Sequence, residues 1–222
     1  MNFKKWIGIG ILLVAAQSAA LAQGVRIMGG GGAMSQGMVL FSLGPDGPGI
    51  RGDVSKELKL TDAQKSKISD FQQKQMEEMM GLFQSGQRPS QEEMQAIMKK
   101  RNEAETKFLG ETLDETQRKR LRELWIQRMD NAAMLNEDLA RELAITDEQK
   151  QKAKDLQAKQ AEANRSVREK AQNGELDFSQ IREIMEKNSK ALNLELGKIL
   201  TEDQKTKLKA MRGAEFKFDA DF

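Results

Sequence analysis

The sequence predicts an all-α protein: two tandem helical-hairpin units with long helices, forming an extended or curved bundle behind a Gly-rich N-terminal leader. Three observations predict it. From Asp53 onward the chain is rich in Ala, Glu, Gln, Lys, Leu and Met, all strong helix formers. That stretch also repeats itself. Residues 53–80 match 138–165 at 13 of 28 positions, and 97–124 match 184–211 at 10 of 28. Finally, one capped helix start recurs, as Leu60-Thr61-x-x-Gln64, Leu113-Asp114-x-x-Gln117, Ile145-Thr146-x-x-Gln149 and Leu200-Thr201-x-x-Gln204.

Composition narrows the function. A length of 222 residues suits one domain or two small ones. The chain has no Cys, no His and no Tyr. That excludes a disulfide framework, a thiolate nucleophile and a Cys zinc site, and it removes the commonest general acid/base and transition-metal ligand. No phosphate loop or nucleophile motif is present. The expectation is a binding or structural protein rather than an enzyme, with no catalytic residue, no metal and no cofactor.

Residues 1–22 read as a secretory signal peptide. Lys4 and Lys5 precede an apolar run from Trp6 to Ala16, and Ala20, Leu21 and Ala22 give a small-x-small cleavage site. The run falls short of the ~20 apolar residues a membrane-spanning helix needs. Cleavage after Ala22 would leave an exported protein with no integral membrane segment. It would remove two basic residues and no acidic one, so Lys plus Arg falls from 36 to 34 and equals Asp plus Glu at 34. A neutral mature chain has no general attraction to nucleic acid, so none is expected as a partner. Residues 23–52, with Gly29 to Gly32 and the turn formers Gly44 to Gly49, read as a flexible linker. Met38 to Phe41 is a short apolar patch within it that could dock on the folded part.

Unit 1 covers residues 53–134, unit 2 covers 135–213, and 214–222 form a tail. The expected helices are 62–83, 91–112 and 115–134, then 147–172, 178–199 and 202–212. Each recurrent signature is a capping box: the Thr or Asp oxygen accepts the N3 backbone N–H, and the N3 Gln reaches back to the N-cap N–H. Ser90 with Glu93, and Asp177 with Gln180, repeat the device after the turns near Gly86 and Gly174. Gly110 and Gly197 are expected to break or kink the chain before each third helix. Trp125, following Leu121 and Leu124, is expected to be a buried anchor. The tail alternates Phe216, Phe218, Ala220 and Phe222 with period two, and its rings are expected to pack on a helix or stay mobile.

The capped pairs, the export signal and the all-helical pattern together resemble the Spy/CpxP family of periplasmic LTxxQ-motif proteins, here with a tandemly duplicated unit. The likeness covers about residues 53–213, and Asp114 departs from the motif where Thr is usual. The resemblance implies an ATP-independent, holdase-type chaperone that binds unfolded or partly folded exported proteins, or a stress-response accessory factor. A family dimer carries two motifs per protomer. Four motifs in one chain suggest a monomer with a pseudo-twofold repeat, with a homodimer as the other option. Read from the residues, the client-binding candidates are Phe71, Met76, Met79, Met80, Phe83, Met94 and Met98. Met is flexible and polarizable and suits surfaces that accept many partners. The competing reading makes them ordinary hairpin core positions. The alternative function is an envelope stress-response regulator or scaffold that binds one specific partner protein.

Overall fold

The computed structural model describes residues 35–44, 47–84 and 89–219. The expected signal peptide, the first part of the linker and the last three tail residues lie outside them. The fold is all-α. A 3-10 turn at Gln36–Val39 leads into a small antiparallel pair, β1 (Phe41–Gly44) and β2 (Gly47–Ile50), with Phe41 opposite Ile50. Eight α-helices follow among the described residues. They are α1 (Gly52–Glu57), α2 (Asp62–Gln84), α3 (Gln91–Thr112), α4 (Glu115–Met129), α5 (Glu137–Glu142), α6 (Asp147–Gln172), α7 (Phe178–Ile199) and α8 (Glu202–Ala210). A second 3-10 segment, Asp130–Leu135, follows α4.

Capping explains the helix starts. Ser90 with Glu93, Asp114 with Gln117, Thr146 with Gln149 and Asp177 with Gln180 each form both bonds of the box. Thr61 and Gln64 do the same, with N–H to oxygen distances of 3.0 and 3.2 Å. Gly110 does not break α3: the helix runs through it and ends where Leu113 turns extended. Likewise α7 runs through Gly197 to Ile199, and Leu200 is the extended residue.

The described chain forms two compact units, Ser35–Ala133 with the segment from Glu202 onward, and Met134–Thr201. This grouping differs from the boundaries at 53–134 and 135–213. The leader from Ser35, α8 and the tail join the body that contains the first repeat.

In that body the core sits around α4. Leu121, Leu124, Trp125 and Ile126 are all buried, and three consecutive buried residues mean the helix is covered on more than one face. Trp125 is the anchor expected of it. The expectation of a flexible linker over 23–52 is corrected from Ser35 onward. Val39 and Leu40 are buried, and the Arg51 N–H bonds the Leu40 carbonyl at 2.7 Å. Burying such side chains contributes roughly 1.5–3 kcal/mol each, enough to hold a Gly-rich segment in place. Gly37 has a specific reason to be Gly: a Cβ there would lie 2.2 Å from a Glu105 carboxylate oxygen.

In the body Met134–Thr201, α6 and α7 run antiparallel. Gln149 Nε2 donates to the Ile199 carbonyl at 2.8 Å, and Asn188 Nδ2 donates to Asn164 Oδ1 at 2.9 Å. Its core is thinner, with Ala153 and Val167 the only fully buried residues on the long helix α6.

Candidate functional site

The short helices α1 and α5 stop in the same way. Lys59 and Ala144 adopt positive φ, 51° and 52°, at equivalent repeat positions. The Leu60 N–H then reaches back to the Ser55 carbonyl at 3.0 Å, and the Ile145 N–H to Ala140 at 2.9 Å. This is a Schellman stop, and a hydrophobic residue at its end packs back on the helix it closes. Leu60 and Ile145 are both buried. The Leu or Ile of these two signatures therefore ends one helix, and the Thr after it starts the next.

The Gln of the signature does more than cap its own helix. Gln64 Nε2 donates to the Thr112 carbonyl at 2.9 Å and to Gln117 Oε1 at 2.7 Å. Gln117 Nε2 donates to the Leu58 carbonyl and to Gln64 Oε1, both at 3.1 Å. Each carboxamide oxygen also accepts its own N-cap N–H. Both amides thus use both hydrogens and accept two bonds, which ties the starts of α2 and α4 to the ends of α1 and α3. A Glu would still cap, but it could not donate. In the second repeat Gln149 donates to Ile199, the counterpart of Thr112. Leu113 and Leu200 are buried beside these joints, while Asp114 and Thr201 are exposed and Gln204 is buried.

Basic residues near α4 are engaged in structure. Arg118 donates to the Gly110 carbonyl at 2.9 Å. Arg120 pairs with Glu57 at 2.7 Å and Glu123 at 2.8 Å. Glu105 is a buried carboxylate that accepts the Gly37 N–H at 2.9 Å. Burial pushes its pKa up, and the Ser35 hydroxyl, the Gly37 N–H and Arg101 offset only part of that.

The client-binding candidates lie on α2 and α3, and those with described side chains are not buried. Phe71 is half-buried and stacks on Phe108 with ring centroids 4.2 Å apart. Met76, Met79, Met94 and Met98 are half-buried, and Met80 is 47% exposed. The Phe83 side chain lies outside the described residues. Among the described residues of this helix pair only Ile68, Glu105 and Leu109 are buried, and all three lie toward the joint. The opposite half presents partly covered Met side chains, while Phe71 and Phe108 stack nearer the joint. Among the described residues no group of His, Cys, Asp and Glu is placed to hold a metal ion, and no helix is long and apolar enough to cross a membrane.

The structure therefore defines a class, an all-α chain with amide-locked helix joints and a half-covered thioether and aromatic face. No protein-family model matches the chain, and no curated protein or solved structure matches it significantly.

Proposed function

We propose that the protein is a periplasmic, ATP-independent, holdase-type chaperone that binds unfolded or partly folded exported proteins on the α2–α3 face. The observation that carries this reading is the incomplete burial of Phe71, Met76, Met79, Met80, Met94 and Met98 in a pair of long capped helices. Side chains that pack a hairpin core are normally sealed from water. Here a row of flexible, polarizable groups stays accessible, as a surface for varied apolar partners requires. The LTxxQ signatures and the signal-like N-terminus add the resemblance to Spy/CpxP proteins and the export route.

The test is suppression of aggregation of a chemically unfolded client at near-equimolar ratio. The Met76→Gln/Met80→Gln variant should lose about half or more of the protection while helicity by circular dichroism is unchanged, because neither side chain is sealed in a core. Loss of helicity would return these residues to a packing role. Recovery of one dominant partner from envelope extracts, with no effect on client aggregation, would favour the regulator or scaffold reading instead.

A further inference from the structure

The C-terminal tail occupies a site on α4 that recognises it mainly through its backbone. Gln127 Nε2 donates to the Arg212 and Ala214 carbonyls at 2.6 and 2.7 Å, and Gln127 Oε1 accepts the Phe216 N–H at 3.0 Å. One carboxamide thus holds the Arg212 carbonyl, in the turn that closes α8, together with the Ala214 carbonyl and the Phe216 N–H of the tail beyond Gly213. Further along, the Asp219 N–H donates to Asp53 Oδ2 at 2.8 Å, and Arg51 donates to the Asp219 carbonyl at 2.9 Å. The one side chain gripped closely is Phe218. The guanidinium carbons of Arg128 and Arg51 lie 5.2 and 5.7 Å from its ring centroid, and Phe216 meets it edge-on at 4.9 Å. Cations over a ring face attract its quadrupole. Gly213 starts this path with φ +64°, and a Cβ there would lie 2.1 Å from a Glu123 carboxylate oxygen.

We propose that this surface is a binding site for extended peptide segments with aromatic residues two apart, filled in cis by the protein's own tail. Four of the contacts bind main-chain atoms of residues 214–219, which every sequence carries. The aromatic grip needs only a ring at the right alternate position. A segment in trans with the same alternation makes these four bonds, so the tail acts as a built-in competitor whose advantage is its tethered effective concentration. The site uses residues other than the α2–α3 face, and it stands whether or not that face holds clients.

The experiment uses the full chain and a fluorescein-labelled peptide of residues 211–219 as probe, read by anisotropy. Replacing Phe216→Ser and Phe218→Ser in the chain loosens the tail, and that variant should bind the probe about tenfold or more tightly than the wild-type chain does. Adding Gln127→Glu should abolish the gain, because a carboxylate cannot donate to the two carbonyls. A probe carrying the same two Ser substitutions should not bind. Equal binding by wild type and variant, or equal binding of the Ser probe, overturns the proposal. If the variant loses its helical signal, a protease site inserted between Gly213 and Ala214 allows the folded native chain to be nicked. Exchange of the nicked tail for the probe supports the site, and retention of the tail against excess probe overturns it.

Discussion

Replacing Gln117 by Glu tests whether the signature Gln is there to donate. The substitution changes one NH2 group to oxygen and leaves the cap to the Asp114 N–H in place. It removes the bonds to the Leu58 carbonyl and to Gln64 Oε1, and turns an acceptor toward each. Each lost bond costs about 1 kcal/mol, and leaving a buried acceptor without its donor adds roughly 1–3 kcal/mol. Gln117 is only 8% exposed, so water replaces little of this. The expected loss is about 2–4 kcal/mol in urea unfolding followed by circular dichroism. The pH dependence follows in sign. Burial raises the new carboxyl's folded pKa above the usual Glu value of about 4.3, so the native state takes up its proton first as pH falls. The protonated acid donates one hydrogen again, and the deficit of Gln117→Glu shrinks toward mildly acid pH. A loss below about 0.5 kcal/mol would refute the donor argument.

Three further outcomes are expected. Lys59→Gly and Ala144→Gly should each stabilise by up to about 1 kcal/mol in the same assay, because both positions hold an L-residue at positive φ, where the left-handed backbone costs roughly 1–2 kcal/mol and Gly pays back part of it in unfolded-state entropy. Glu105→Gln should raise stability at neutral pH. It should also flatten the pH profile, since the wild-type carboxyl, held up by burial, gains native-state stability as pH falls through its raised pKa and an amide does not. Burial alone would raise the Asp53 pKa. Hydrogen bonds from Arg51 and from the Asp219 and Val54 N–H groups outweigh it and hold the group at about 2 against an ordinary 3.8. The contribution is present above the ordinary value and disappears as pH falls through about 2, and Asp53→Asn should remove that acid limb from a plot of unfolding midpoint against pH.

The long helices were legible because their starts are chemically marked. Ser90, Asp114, Thr146 and Asp177 each cap in the way their spacing requires. Ends were less legible. Helix α4 stops at Met129 rather than 134, where Asp130 takes φ 52°, and α8 stops at Ala210 rather than 212. The six-residue helices α1 and α5 escaped because they are too short to show a period. The leader's Gly and Pro content pointed to a linker, yet the apolar run at Met38–Phe41 was the signal that it docks. Gln at N3 in all four signatures, where Glu caps equally well, was the signal for the donated bonds that join α1 to α4. Nothing in the sequence marks Gln127 as the residue that reads the tail. A lone Gln on a helix carries no pattern, and its role exists only once the chain end returns to it.

Within the body that contains the first repeat, the distribution of packing along α2 and α3 links stability to the proposed function. Near the joint, Ile68, Glu105 and Leu109 are buried and the paired amides of Gln64 and Gln117 are fully satisfied. Toward Met76, Met80 and Met94 none of the described side chains is sealed. A hairpin of two long helices with a thin apolar stripe would be marginal alone, because helix stability in proteins comes chiefly from packing. Fixing both helices at one end by hydrogen bonds that demand Gln, and by a core built on α4, lets the other end keep its Met groups accessible without unfolding. Local opening is cheapest where buried apolar contacts are fewest. The α2–α3 region around Met76–Met98 is therefore where hydrogen exchange should be fastest within these helices, and where an unfolded partner would find apolar surface already exposed.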